Sequence, residues 1–385
     1  MKKINIVIYG ATGTIGSSIL SVINQKNKDL NIEGITCRNN LNKLKIIAEK
    51  YNVRKLGYIE KLTSKKKINT SKFELYKDLS EFDKIVSSKT DIIIFAITGL
   101  AALELLLKLI KKGKKIGLAN KECIISFGQK INSQAKKYSS QIIPLDSEHN
   151  AIYHLLNANF SNFKSITITA SGGPFLNLNQ KKFKDIKIKE ALKHPVWKMG
   201  KKISIDSATM MNKALEIMEA RYLFNLKKNQ INAIIHPQSI IHAMINFNNQ
   251  MSIAVLNEPD MRIPISTLFY KFDEYIHQRK NLDLLIKTSN LEFFKIDNKK
   301  FPAIKIGQDI MDTGGLAPHL FNYLNEVLVN KFLHGKIKFI DIVDLNLVNV
   351  NNFFKKNRNV SNPTIDDILS VNAWLDKNII LKESK

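Results

Sequence analysis

The chain has 385 residues, a length typical of roughly two or three domains, and 44% of its residues are hydrophobic. This composition excludes a disordered chain, and 16 glycines and 9 prolines are too few for a fibrous protein. The 59 basic against 34 acidic residues give a net charge of +25, which raises the question of nucleic-acid binding. The lysines are scattered, without a zinc-finger or ribonucleoprotein motif. We therefore predict solvated surface lysines and no nucleic-acid partner.

Two features predict the compartment. Cys37 and Cys123 are too few for a disulfide framework, so we expect reduced thiols and a cytoplasmic location. The lysine-containing start and apolar Ile4–Tyr9 are similar to a signal peptide but lead into a glycine-rich turn instead of a cleavage site. No apolar run is long enough to cross a bilayer, so we predict no membrane partner.

The first third of the chain alternates strand and helix patterns. Strands are predicted at Ile4–Tyr9, Ile32–Thr36, Asp91–Ala96, Lys115–Leu118 and Gln141–Leu145. Helices are predicted at Ile15–Ile23, Leu41–Tyr51 and Ala101–Lys112. The alternation predicts an α/β fold whose N-terminal domain, residues 1–146, is a Rossmann-like parallel sheet covered by helices.

The pattern changes at about residue 147. Strand patterns at Ser165–Ala170, Ala233–Ile235 and Ser252–Leu256, separated by loops with Gly, Pro, Ser and His, predict an α+β catalytic domain over residues 147–270. Residues 271–305 show little periodicity and are predicted to form a connecting region. Apolar residues at helical spacing in Leu320–Leu333 and Ile365–Leu375 predict a C-terminal helical domain over residues 306–385.

A candidate nucleotide site follows the first strand. The glycines of Gly10–Gly16 let the backbone approach a pyrophosphate, and the N–H groups of the next helix face its charge. The second strand ends near Arg38, without the carboxylate that an NAD site places on the ribose. This favours NADP(H), with the alternative that Arg38 is a solvated loop residue.

Acidic residues in two segments suggest a metal site. Asp146 and Glu148 follow a strand, and in an extended segment both carboxylates would face one cation. Glu216 lies in a helical pattern where Asn212 and Lys213 share its face. Three carboxylates without cysteine suit Mg²⁺ or Mn²⁺, and the lysine and asparagine suit a phosphorylated substrate. Singly, each acid could also be an ordinary surface residue.

Two loops are candidates for phosphate binding. Ser171-Gly172-Gly173-Pro174 follows a predicted strand, and Ser207 precedes the helix of Glu216; each could bind phosphate or cap a helix. The segment His194–Gly200, with its Trp, Pro and Gly, predicts a mobile lid. His194 is open to two interpretations, a structural residue or a substrate contact.

Together these segments resemble one family, the 1-deoxy-D-xylulose 5-phosphate reductoisomerases, over nearly the whole chain. The most specific match is the run Ser204–Lys213. The other matching stretches are Gly10–Gly16, Leu118–Glu122, Pro144–Ile152, Ser171–Phe175, His194–Trp197, Gly200–Glu219 and Ile235–Ser239.

The resemblance implies the roles of individual residues. NADPH would contact Thr12, Gly13, Thr14, Ile15, Arg38, Asn39, Asn40, Asn120, Glu122 and Gly200. Asp146, Glu148 and Glu216 would hold the divalent cation. The substrate would contact Lys121, Ser147, Glu148, Ser171, His194, Ser207, Asn212, Lys213 and Glu216, of which Lys121, Glu148, His194 and Glu216 would be catalytic.

The resemblance also implies a reaction and an assembly. The expected reaction is rearrangement of 1-deoxy-D-xylulose 5-phosphate, followed by hydride delivery from NADPH, to give 2-C-methyl-D-erythritol 4-phosphate for isoprenoid synthesis. The loop of Trp197 and Met199 would be the lid, and a homodimer is expected. The segment Phe321–Glu326 replaces small residues of the family pattern, so we expect altered packing there.

Two alternatives remain at this point. A different NADP-dependent reductase, of the homoserine or semialdehyde type, would share the first domain but would not need three clustered carboxylates. A binding module that uses its positive charge would show salt-dependent affinity for DNA or RNA and no cofactor oxidation.

Overall fold

A computed structural model describes residues 3–25, 29–62, 71–158, 162–197, 199–270 and 290–381. They form two compact units. The first contains the chain up to Cys123, Gln129–His154 and the segment that begins at Asp260; the second contains Ile124–Gly128, Leu155–Pro259 and the C-terminal described segment. Strands and helices are numbered below in chain order. Among the described residues, no helix combines the length and the apolar character needed to span a bilayer.

The first unit is built on a seven-stranded parallel sheet with the order β4-β3-β2-β1-β5-β6-β7. Its strands are β1 (Ile4–Tyr9), β2 (Leu30–Thr36), β3 (Lys55–Gly57), β4 (Glu74–Tyr76), β5 (Ile92–Phe95), β6 (Lys115–Leu118) and β7 (Gln141–Pro144). Its helices are α1 (Thr14–Gln25), α2 (Leu41–Tyr51), α3 (Leu103–Ile110), most of α4 (Lys121–Lys137), most of α5 (Ser147–Asn157) and α9 (Arg262–Ser266).

The apolar strands of this sheet explain its position in the core. All four residues of β5 are buried, as are the last four of β1, which is expected of parallel strands that helices cover on both faces. The order of strands reverses between β1 and β5, and ligands of such sheets bind beside the carboxyl ends of the strands at this switch point.

The second unit contains a four-stranded mixed sheet with the order β11-β10-β8-β9, in which only β8 and β9 are parallel. Its strands are β8 (Ser165–Ala170), β9 (Ile231–Ile235), β10 (Ile241–Asn246) and β11 (Ser252–Leu256). Its helices are α6 (Ile188–Ala191), α7 (Lys201–Ala208), α8 (Met211–Phe224), α10 (Ala303–Thr313), α11 (Ala317–Leu333), α12 (Asp341–Lys356) and α13 (Ile365–Asn378).

The predicted fold class is confirmed: a parallel-sheet N-terminal part, an α+β part and C-terminal helices. An aromatic cluster lies in the core of the second unit, where the Phe183 ring is 5.9 Å from the rings of both Phe301 and Phe339. The division at residues 146, 270 and 305 stays a prediction, and residues 271–289 of the predicted connecting region lie outside the described residues.

Candidate active site

The turn after β1 forms a cradle that excludes side chains. Gly10 has a φ of +88°, and a Cβ there would lie 2.5 Å from the carbonyl oxygen of Ala96, which follows β5. A Cβ on Gly16 would lie 2.4 Å from the carbonyl oxygen of Ala11. The first turn of α1 carries no acidic residue, so its positive end can face an anion. A bound pyrophosphate fits this cradle at the switch point of the sheet.

The end of β2 and the first turn of α2 hold this turn, and α2 adds a cation beside it. The Gly10 N–H donates to the Thr36 hydroxyl over 3.1 Å, and Lys43 Nζ donates to the Thr12 carbonyl over 2.9 Å. Arg38, Asn39 and Asn40 are exposed, and the Asn40 side chain also caps α2. Sequence reasoning missed Thr36 and Lys43, because neither lies in a recognisable motif.

Asn120 is fully buried at the beginning of α4. Its Oδ1 accepts from the Cys123 N–H over 2.7 Å, and its Nδ2 donates to the carbonyls of Ile97 and Gly99. The side chain therefore fixes the loop after β5, and a contact between Asn120 and NADPH stays a prediction, as does that of Glu122 in the first turn of α4.

The acidic segment after β7 differs from its prediction. The extended segment through Asp146 and Glu148 is wrong, because α5 begins at Ser147 and the Asp146 carbonyl accepts from the Asn150 N–H over 2.8 Å. The two carboxylates nevertheless approach each other, with one oxygen of Asp146 and one of Glu148 within 4.8 Å. The Ser147 hydroxyl donates to Glu148 Oε2 over 2.6 Å.

Asp146 lies in a strongly polar environment. Lys121 Nζ is 2.9 Å from its Oδ2, and His149 Nδ1 is 3.5 Å from its Oδ1. Burial acts to raise the pKa of the Asp146 carboxyl, but Lys121 and His149 outweigh it and hold the pKa well below its ordinary value. This carboxylate is thus charged and suited to a hard cation.

Helix α8 carries the second acidic group. As predicted, Asn212 and Lys213 lie on the face of Glu216, and both donate to its carboxylate. Lys213 is 3% and Glu216 1% exposed, so a charge pair is buried one turn from the beginning of the helix. No acidic residue lies in that first turn, which leaves the positive end of α8 available to an anion.

The glycine loop after β8 lies directly against the end of α7. Gly173 has a φ of +66°, and a Cβ there would lie 2.7 Å from the Ser207 carbonyl oxygen. The structure therefore brings together the two segments that the sequence predicted for phosphate, although Ser207 lies in α7 and not in a loop. Both Ser171 and Ser207 are partly exposed.

The ring of His194 is fixed in one tautomer. Its Nδ1 accepts from the N–H groups of Val196 and Trp197, at 3.1 and 2.8 Å. The proton of the neutral ring is therefore on Nε2, which donates to Ser171 Oγ over 3.0 Å. Burial lowers the pKa of His194 to about 4, so the ring is neutral at pH 7. In the predicted lid, Lys198 lies outside the described residues.

The predicted residues divide between the two units. All predicted cofactor contacts except Gly200 lie in the first unit. Gly200 lies in the second unit, immediately before α7. Of the predicted metal and substrate contacts, the first unit holds Lys121, Asp146, Ser147 and Glu148. The second unit holds Ser171, His194, Ser207, Asn212, Lys213 and Glu216.

A glycine cradle at the switch point of a parallel sheet, with a cation at the end of β2, defines the class of dinucleotide-binding oxidoreductases. Three family models match the chain. "1-Deoxy-D-xylulose 5-phosphate reductoisomerase" matches residues 6–128, the C-terminal domain of that enzyme matches residues 142–224, and "DXP reductoisomerase C-terminal domain" matches residues 256–378.

Relatives and solved structures agree with these models. The 1-deoxy-D-xylulose 5-phosphate reductoisomerase of Pelagibacter ubique is 41% identical, with 98% of this chain and 99% of the relative covered. The Zymomonas mobilis enzyme in complex with NADPH has a TM-score of 0.87 at 29% identity, with 97% of each chain covered. A reductoisomerase complex with NADPH, fosmidomycin and magnesium has a TM-score of 0.87 at 31% identity, again with 97% of each chain covered. The chain belongs to the 1-deoxy-D-xylulose 5-phosphate reductoisomerase family.

Proposed function

We propose that this chain catalyses the NADPH-dependent rearrangement and reduction of 1-deoxy-D-xylulose 5-phosphate to 2-C-methyl-D-erythritol 4-phosphate in the non-mevalonate isoprenoid pathway. The observation that carries the proposal is the buried pair of charged side chains on α8. A buried Lys213 and Glu216 stand near the positive end of α8, and the serine and glycine loop after β8 packs against the end of the preceding helix, α7. This arrangement suits a substrate that carries a phosphate and binds a cation.

The cofactor fits the cradle of the first unit. Gly10 and Gly16 permit the tight turn that brings backbone N–H groups towards a pyrophosphate, because a side chain on either would meet backbone atoms. The exposed Arg38, Asn39 and Asn40 offer one cation and two amides to a 2′-phosphate. Thr12 and Gly13 lie in the turn between β1 and α1, and Thr14 and Ile15 are the first residues of α1.

The donor set fits a divalent cation held by Asp146, Glu148 and Glu216. All three ligands are carboxylates, and the first two already approach within 4.8 Å, as hard cations with oxygen ligands require. When bound, the cation supplies Lewis-acid stabilisation of negative charge on the substrate oxygens, and NADPH supplies the hydride. Lys121 keeps Asp146 charged and oriented.

The second unit anchors the phosphate. Ser171 Oγ accepts from the Gly173 N–H over 3.2 Å and from His194 Nε2, so its own proton is what remains to donate to a phosphate oxygen. Ser207, Asn212 and Lys213 add a hydroxyl, an amide and an ammonium. Binding energy from this remote group orients the reacting carbons.

A spectrophotometric assay tests the proposal. Purified protein is mixed with 1-deoxy-D-xylulose 5-phosphate, NADPH and Mn²⁺, and the nicotinamide absorbance is followed with and without a chelator. We expect substrate-dependent oxidation that the chelator stops and that added Mn²⁺ or Mg²⁺ restores. No oxidation, or oxidation that a chelator leaves unchanged, would refute the assignment.

We further propose that the chain forms a homodimer. β11 is an edge strand of the four-stranded sheet, and its apolar residues from Ile253 to Leu256 are only partly buried. Among the described residues β11 pairs with another strand on one side only, and an edge strand can pair with a second copy. Light scattering should give twice the mass of the chain, and the mass of one chain would contradict this arrangement.

We also propose that the protein is located in the cytoplasm. Both cysteines are free and buried, and burial raises the pKa of the Cys37 thiol to about 12. Neither thiol is therefore a ready partner for oxidation, which fits a reducing compartment. Cell fractionation followed by detection of the native protein tests this location.

A further inference from the structure

Asp206 is a buried carboxylate next to a predicted phosphate ligand. It lies in α7 immediately before Ser207, and it is 1% exposed. A buried carboxylate requires partners, because removing its charge from water costs several kcal/mol. The neighbours of Asp206 therefore determine where the end of α7 can lie.

Among the described residues, two side chains bind this carboxylate. Lys202 Nζ, one turn earlier in α7, is 2.7 Å from Oδ2. Asn325 Nδ2, from α11, donates to Oδ1 over 2.8 Å, and Asn325 is fully buried. Lys202 acts within its own helix, whereas Asn325 joins α7 to a second helix. Hydrogen bonds to an ionised acceptor are stronger than neutral ones.

The turn that follows Asp206 presents the phosphate ligands. The Thr209 hydroxyl donates to the Asp206 carbonyl over 3.2 Å, and the Met211 N–H is 3.3 Å from that hydroxyl. Between them, Met210 adopts a left-handed conformation with a φ of 61°, which costs an L-residue about 1–2 kcal/mol. The surrounding contacts must therefore hold this turn, which joins the end of α7, with Ser207, to the first turn of α8.

We propose that Asn325 is a positioning residue for the phosphate site, which it serves by fixing Asp206 and thereby the turn between α7 and α8. The inference rests on the proposed function, since the phosphate is that of its substrate. Asn325 lies in the segment Phe321–Glu326, for which the sequence predicted only altered packing, and the proposal gives that segment a role.

The test compares Asn325→Leu with Asn346→Leu. Asn346 is a matched control, since it is equally buried in the C-terminal helices and its Nδ2 donates one hydrogen bond, over 2.9 Å, to the Phe321 carbonyl. We expect Asn325→Leu to raise KM for 1-deoxy-D-xylulose 5-phosphate at least about tenfold, or about 1.4 kcal/mol. KM for NADPH should stay within about twofold, as should both constants in Asn346→Leu. Equal effects of the two variants on substrate KM would overturn the proposal.

A second measurement is independent of turnover. Hydrogen exchange of the backbone amides of residues 204–212, read by mass spectrometry in the free protein, should be faster in Asn325→Leu and unchanged in Asn346→Leu. Unchanged exchange in Asn325→Leu would refute the positioning role. If the wild type fails to oxidise NADPH with this substrate, the proposed function fails, and the exchange data still decide whether Asn325 holds the turn.

The dependence on Asp206 is tested by a double-mutant cycle. In an Asp206→Asn background the Asn325→Leu substitution should raise substrate KM less than in the wild type, because an uncharged amide loses less than a carboxylate when its partner is removed. Additive effects would show that Asn325 does not act through Asp206. If Asn325→Leu does not fold, Asn325→Ser replaces it in both measurements.

Discussion

Gly173→Ala tests how closely the glycine loop and α7 define the phosphate site. The native φ of +66° is left-handed, and alanine loses about 1–2 kcal/mol there. Its Cβ would also stand 2.7 Å from the Ser207 carbonyl oxygen and 3.2 Å from the Ala208 Cα. Backbone atoms cannot rotate away, so a loop or helix must shift, which costs about 1–3 kcal/mol more.

Gly335→Ala is the matched control. Gly335 has nearly the same φ, +69°, and among the described residues no heavy atom beyond its chain neighbours lies within 4 Å of the position that an alanine Cβ would take. The control therefore carries the conformational loss alone. The difference between the two variants isolates the contact with the end of α7, at Ser207 and Ala208.

Denaturant unfolding and steady-state kinetics measure the two consequences. The free energy of unfolding should fall by about 1–3 kcal/mol more in Gly173→Ala than in Gly335→Ala. Substrate KM should rise in Gly173→Ala, while KM for NADPH stays constant in both. Equal losses of stability with an unchanged substrate KM would show that the loop does not shape the phosphate site.

Four further predictions concern single side chains. Glu216→Gln should abolish turnover but leave NADPH binding, measured by fluorescence titration, nearly intact; unchanged metal-dependent NADPH oxidation would count against the metal assignment. Lys213→Ala should mainly raise substrate KM, and unaltered kinetics would remove Lys213 from the phosphate site. Arg38→Glu should raise KM for NADPH more than KM for NADH, and an equal change in both would remove Arg38 from the 2′-phosphate contact. Burial lowers the pKa of His319 from 6.5 to about 4, so the unfolded chain takes up a proton that the folded chain excludes between these pH values. The free energy of unfolding therefore carries no penalty from His319 above pH 6.5 and falls by about 3 kcal/mol as the pH decreases to 4. The free energy of unfolding of His319→Gln should depend less on pH over this range. Plots of unfolding free energy against pH that run parallel for the variant and the wild type would contradict this linkage.

The sequence predicted the regular elements of the first unit closely because their apolar patterns are strong. β1, α2 and β6 have the predicted bounds. The three-residue strands β3 and β4 were missed, since so short a segment carries no measurable period.

The acidic segment after β7 shows why local signals must be weighed together. The prediction of an extended chain relied on the preceding strand and on the spacing of Asp146 and Glu148. An acid followed by Ser147 and a second acid is also a helix start, and that signal prevails in the structure. The prediction that Asp146 and Glu148 can face one cation depends little on the wrong backbone conformation, because their carboxylates still approach each other at the start of the helix.

Contacts between distant segments could not be predicted in this way. Nothing in the sequence near Asp206 indicates Asn325, 119 residues away, as its partner, and nothing near Ser207 indicates that Gly173 packs against its carbonyl. Such pairs arise from the packing of helices and loops, which a single sequence does not encode as a motif.

The charges buried in α8 are better explained by function than by stability. A buried ion pair often contributes no more to stability than apolar residues of the same volume would, because desolvation offsets the attraction. Lys213 and Glu216 are nevertheless almost completely removed from solvent, on a helix whose other inward side chains include Leu215 and Met218. Apolar residues at these two positions would satisfy the core, but they could neither attract a phosphate nor bind a cation. The pair is therefore a part of this helix that packing alone does not require, and it is where substitutions should separate activity from folding.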